Sequence, residues 1–207
     1  MKVMKYILAA AFVLALGFIG WNFILKPEAA SKPYRDYQTI VAYGDSLIVG
    51  VGSTEGNDFV SQLSQKLGKN IINEGKSGET SSQGLARIDS ILEHKPDMVL
   101  VLFGGNDALH RVDKAITFEN LKNIISTLQK NNAEVVLLGI QGGAIGDPYK
   151  KEFETLAKDF DLVYVSNVLD DLFADKRYMA DSVHPNDTGY AHISDRVYTA
   201  LRPLFRR

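Results

Sequence analysis

Five short apolar runs, separated by stretches with helical spacing, constrain this chain more than any other feature. The first is Thr39-Ile40-Val41-Ala42-Tyr43 and the second Asn70-Ile71-Ile72-Asn73. The third, Asp97-Met98-Val99-Leu100-Val101-Leu102-Phe103, is the most strongly apolar outside the N-terminal segment. The fourth spans 134–140 and the fifth 162–165. Runs that are apolar throughout, without alternation, suit strands covered on both faces of a parallel sheet. Between them lie patterns with helical period. Val60, Leu63 and Leu67 form one, closed by Gly68, and Leu85, Ile88 and Leu92 a second. Leu121, Ile124, Ile125 and Leu128 form a third, and Phe153, Leu156 and Phe160 a fourth. Tyr190, Ile193, Val197, Leu201 and Leu204 make the last stripe. Caps are expected at Thr80 or Ser81, at Thr117 and at Asp147 before Pro148, and Asn186 is expected to begin the last helix. The stretch 167–183 has no clear period.

Strand and helix alternate, which predicts an α/β fold. The expected form is a three-layer α/β/α sandwich around a five-stranded parallel sheet. With 207 residues, 45% of them hydrophobic, one domain over 38–207 is the natural count. In open sheets of this kind, ligands bind outside the carboxyl ends of the strands. The loops at Ser46, Gly78, Asn106 and His184 are then neighbours, provided the last one folds back to that edge.

The N-terminal 25 residues are of another kind. Lys2 and Lys5 precede a stretch, 6–25, in which Asn22 is the one strongly polar residue. About 20 residues at 1.5 Å each give about 30 Å of helix, enough to cross a bilayer core. The length fits an uncleaved signal anchor better than a cleaved signal peptide, although Ala29-Ala30-Ser31 could supply a cleavage site. Either reading places the domain outside the cytoplasmic membrane, at the cell envelope or secreted. Residues 26–37 read as a tether. The net charge of −2 gives no electrostatic case for nucleic acid as partner. The absence of cysteine excludes disulfides, thiolate metal sites and a cysteine nucleophile.

The chemistry-bearing residues fall at strand ends. Ser46 follows the first strand in Gly44-Asp45-Ser46-Leu47. A serine nucleophile needs a base, and the base needs an orienting group. His184 sits in Asp181-Ser182-Val183-His184-Pro185, so one loop could present both a base and its carboxylate. An Asp and a His three apart also occur by chance. His110, near the Asn106 loop, is the rival base, while His94 and His192 read as packed or solvated. Acyl transfer also needs donors for an oxyanion. Candidates are the side-chain amide of Asn106 and the backbone N–H groups of Gly78 and Ser46. Each alone reads equally well as a turn residue or cap. Gly50-Val51-Gly52 lacks the third glycine of a dinucleotide fingerprint and reads as a loop.

Taken in order, Gly44-Asp45-Ser46-Leu47, Gly78, Gly105-Asn106-Asp107 and Asp181-x-x-His184-Pro185 resemble the SGNH hydrolase superfamily, the GDSL esterases and lipases. The wording around Ser77-Gly78-Glu79-Thr80-Ser81, Gln83-Gly84-Leu85-Ala86-Arg87 and Tyr178-Met179-Ala180-Asp181 is similar to the bacterial thioesterase I, lysophospholipase and arylesterase group. The resemblance covers about 39–204. It implies a flavodoxin-like SGNH fold and a serine esterase. In it Ser46 is the nucleophile, His184 the base and later the acid, and Asp181 its orienter. Ser46, Gly78 and Asn106 form the oxyanion hole, and Asp45 holds the turn. It implies no metal and no cofactor. The substrate is expected to be a small-molecule or lipid ester, or a thioester. A carbohydrate O-acetylesterase, an acyltransferase and a tethered binding module without catalysis are the alternatives. The subgroup's proline-containing loop after the fourth strand is replaced here by Gln141-Gly142-Gly143-Ala144-Ile145-Gly146, a glycine-rich stretch expected to be more mobile. Chain-length preference therefore does not carry over.

Overall fold

The computed structural model describes residues 35–142, 146–173 and 175–205. The expected anchor or signal segment at 1–25 lies outside them, as do most of the tether and the centre of the glycine-rich loop. Among the described residues, no helix is long and apolar enough to cross a membrane.

The five apolar runs become five strands: β1 (Ile40–Gly44), β2 (Ile71–Gly75), β3 (Met98–Leu102), β4 (Glu134–Leu138) and β5 (Val163–Val165). All pair in parallel, in the order β2-β1-β3-β4-β5. Every residue of β1 and β3 is buried, which is why those two runs lack alternation. β2 lies at an edge and is only partly covered, so its sequence is more polar.

Helices cover both faces. α1 (Ser46–Val49) follows β1 directly, and α2 (Phe59–Leu67) leads to β2. α3 (Ser81–Ala86) and α4 (Ile88–Leu92) lie between β2 and β3. α5 (Gly105–Leu109) and α6 (Lys114–Lys130) follow β3. α7 (Lys150–Asp159) precedes β5, and α8 (Asp187–Leu201) runs into a final 3-10 turn, Arg202–Phe205. α2 packs on α8, whereas α3, α4 and α7 pack on α6.

One cap matches expectation: Thr80 forms a capping box with Gln83. Asn186, expected to begin the last helix, is its cap, accepting the Gly189 N–H. Other caps do not match. Asp113, not Thr117, caps α6; Thr117 lies one turn inside the helix, with its hydroxyl directed at buried Asp107. Asp147 accepts the Tyr149 N–H, but α7 begins at Lys150 with Tyr149 in the cap position. The single helix expected across Leu85, Ile88 and Leu92 is broken at Arg87, whose φ of −113° and ψ of 18° are not helical.

The strand order reverses between β1 and β3, and the crevice of such a sheet lies at that switch point. The segments leaving β1 and β3 carry Ser46 and Asn106.

Candidate active site

Gly44 is where the site begins. A Cβ on it would lie 2.2 Å from the Leu102 carbonyl oxygen and 2.6 Å from Ile48 Cγ1. Only a glycine lets β1 turn this tightly against β3 into α1. Asp45 then caps α1, its carboxylate accepting the Leu47 N–H at 3.0 Å. Asp45 is almost fully buried, and burial pushes its carboxyl up to about 7, against the lowering effect of the Leu47 N–H. Ser46 is the first residue of the helix, so its own N–H has no acceptor within the helix.

His184 reaches Ser46 from the far end of the chain. Its Nε2 is 3.0 Å from Ser46 Oγ, and its Nδ1 is 2.8 Å from Asp181 Oδ2. The turn that presents them is built by Asp181 itself. Its Oδ1 accepts the Val183 and His184 N–H groups, both at 2.8 Å. The His184 ring hydrogen bond and these two amides hold the Asp181 carboxyl down at about 2. An ionised Asp181 accepts a hydrogen bond from Nδ1–H, which leaves Nε2 able to accept one from the Ser46 hydroxyl. The loop is further tied back by a bridge between Met179 and Pro185. Asp181 is the exposed end of the row, with about half of its side-chain surface open.

The second and third blocks line the same cavity. Gly78 sits at φ +80° in a turn closed by the Glu79 N–H on the Lys76 carbonyl. Asn106 is in the first turn of α5. Its amide donates to Glu79 O at 2.9 Å and to Asp45 Oδ2 at 3.2 Å. Next to it, Asp107 is fully buried and accepts the Ser81 N–H at 2.8 Å and the Ser81 hydroxyl at 2.5 Å, which fastens α3 to α5. The cavity has a volume of about 680 Å³. Ser46, Gly78, Asn106 and His184 are among the residues that line it. So are Leu109, Ile140, Leu169 and Phe173.

The rival base is not placed there. His110 is exposed at the end of α5 and does not line the cavity. His94 pairs with Glu74 at 2.7 Å, and His192 lies edge-on to Tyr178. Among the described residues, no group of three or more histidines or carboxylates is placed to hold a metal ion. Sequence reading missed the hydrogen bond from Asn106 to Asp45, because 61 residues separate the pair.

Comparison with known proteins settles the family. A model described as GDSL-like Lipase/Acylhydrolase family matches residues 42–192. The chain belongs to that family. This GDSL hydrolase therefore acts on ester bonds. It is 30% identical over 175 residues to a protein of Escherichia coli K12 named Thioesterase 1/protease 1/lysophospholipase L1, covering 80% of this chain and 84% of the relative. The crystal structure of TesA superposes with a TM-score of 0.76 at 28% identity, over 81% of this chain and 99% of that one. The psychrotrophic esterase EstA from Pseudoalteromonas sp., solved inhibited by monoethylphosphonate, gives 0.71 at 28% identity, over 80% and 97%.

Proposed function

We propose that this GDSL hydrolase is a serine esterase working through an acyl-enzyme. Ser46 Oγ attacks the carbonyl carbon of an ester or thioester while His184 Nε2 takes the hydroxyl proton. The tetrahedral oxyanion is met by the Ser46 and Gly78 N–H groups and the Asn106 amide. The C–O or C–S bond breaks as His184 returns its proton to the leaving group. Water, deprotonated by the same nitrogen, then releases the acid. Asp181 keeps the imidazole in the tautomer this requires. The observation that carries the reading is the unbroken row Asp181–His184–Ser46, with contacts of 2.8 and 3.0 Å, opening into the cavity.

The apolar walls favour an acyl chain of some length over acetate alone, so lysophospholipid-like and aryl esters are the expected substrates. Residues 1–25 would hold the domain, through the tether 26–37, at the outer face of the cytoplasmic membrane. The test is covalent labelling with a fluorophosphonate, followed by peptide mapping. Label on Ser46, and a Ser46→Ala protein with turnover of p-nitrophenyl butyrate reduced by several orders of magnitude, is the expected result. Wild-type turnover in Ser46→Ala would overturn it.

A further inference from the structure

Arg87 lies outside the cavity yet joins the ends of β1 and β2 to the segment that follows Gly78. Its Nε is 2.8 Å from both carboxylate oxygens of Glu79, and its Nη2 donates to Glu79 Oε2 at 2.7 Å. The same Nη2 donates to the Glu74 carbonyl at 2.9 Å, at the end of β2, and approaches the Gly44 carbonyl at 3.5 Å, at the end of β1. Its guanidinium lies over the Tyr43 ring, 4.6 Å from the centroid. Both partners of the Arg87–Glu79 pair are largely withdrawn from water, with 12% and 13% of their side-chain surface exposed. Arg87 stands at the break between α3 and α4.

Glu79 is the link to the chemistry. Its main-chain carbonyl accepts one hydrogen of the Asn106 amide, and its N–H closes the turn that holds Gly78 at positive φ. A carboxylate clamped by a planar guanidinium cannot swing, because the two-point contact fixes direction as well as distance. The main chain of Glu79 is thereby fixed against the ends of β1 and β2.

We infer that Arg87 is a positioning residue for the side-chain amide of Asn106, holding Glu79 so that this oxyanion-binding amide keeps its place beside Ser46. This rests on the esterase reading above. The alternative is a purely structural ion pair that seals the sheet edge. That role lowers the folded fraction and leaves kcat per folded molecule unchanged.

The experiment is a double-mutant cycle on a short p-nitrophenyl ester, with kcat and KM measured for Arg87→Gln, Asn106→Ala and the double variant, each corrected for folded fraction by thermal melting. Arg87→Gln is expected to lower kcat about tenfold or more and to leave KM within about twofold. In the Asn106→Ala background the same change is expected to cost less than about threefold, because its route of action is gone. Glu79→Gln, which loosens the clamp from the other side, runs through the same cycle and carries the test if Arg87→Gln does not fold. An unchanged kcat, or equal losses with and without Asn106, would overturn the inference while leaving Ser46 labelling intact. An Asn106→Ala protein with wild-type kcat would instead remove Asn106 from the oxyanion site, and the role of Arg87 with it. Loss of Ser46 labelling in the parent protein is the separate signature of failure of the esterase reading.

Discussion

The buried carboxylate of Asp45 accepts a hydrogen bond from the side-chain amide of Asn106 at 3.2 Å. The other amide hydrogen goes to the Glu79 carbonyl. Both hydrogens of the amide are thus engaged before any substrate arrives. In the proposed mechanism an oxyanion shares one of them, and the longer bond, to Asp45, yields more readily. Asp45 would then be both a cap for α1 and a counterweight beside the proposed oxyanion site.

Its protonation makes stability depend on pH. The folded-state value of about 7 stands above the ordinary 3.8, so between those values the folded protein holds a proton that the unfolded chain has lost. Stability from this group is full below about pH 4 and falls as pH rises towards 7. Asp45→Asn, which cannot titrate, is expected to flatten that slope. Thermal midpoints of the two proteins from about pH 4 to 8 check this, and parallel curves would show that Asp45 does not carry the proton.

Asp181 runs the other way. Its carboxyl is held at about 2, below the ordinary 3.8, so its contribution is present above about pH 4 and is lost as pH falls towards 2. The group is half exposed, and its effect on stability is small. In the proposed mechanism its effect on turnover is large. Asp181→Asn keeps an oxygen for the Val183 and His184 amides, so the turn survives, but its NH2 then faces His184 Nδ1. That favours the tautomer with hydrogen on Nε2, which cannot accept the Ser46 proton. A loss of about two to four orders of magnitude in kcat, with an unchanged circular dichroism spectrum, is the expected outcome.

Much of this architecture is legible in the order of the residues. β1 and β3 are buried on both faces, so their apolar runs are continuous and their ends sit at the residues that matter. The four short blocks fall at strand ends or in the last loop, in the right order. What the residues do not reveal is of two kinds. α1 and α5 have four and five residues, too few for a helical period to show. The clamp of Arg87 on Glu79 depends on parallel register: Gly44 pairs with Gly75, which brings the ends of β1 and β2 under one guanidinium. The misplaced cap at Thr117 has a local cause. Asp113, four residues earlier, is an equally good cap, and the buried carboxylate of Asp107 gives the Thr117 hydroxyl an acceptor inside the helix.

If the cavity takes the acyl group, as proposed, Phe173 and Leu109 lie where chain length is read. Both residues line it and keep 43% and 61% of their surface exposed. An acyl chain that covers them gains about 0.8 kcal/mol per buried methylene. Phe173→Asp is therefore expected to raise KM for a p-nitrophenyl octanoate about tenfold and to leave acetate hydrolysis within about twofold. Equal effects on both esters would mean that the chain lies elsewhere.

Two glycines give opposite outcomes for the same substitution. At Gly44 a methyl group meets the Leu102 carbonyl oxygen and Ile48 at distances no packed atom tolerates. Gly44→Ala must push β1 from β3, and a destabilisation of about 3 kcal/mol or more is expected. At Gly78 a Cβ has nothing within 4 Å, and the cost is conformational alone, since φ is +80°. An alanine held there loses about 1–2 kcal/mol and still folds. The turn can relieve that strain only by rotating the peptide that carries the Gly78 N–H. Gly78→Ala should therefore melt slightly below the parent and lose kcat by about tenfold or more at an unchanged KM. Denaturant unfolding alongside steady-state kinetics separates the two effects. A Gly78→Ala protein with undiminished stability, the sign that the peptide has rotated, and full kcat would show that this N–H takes no part in holding the oxyanion.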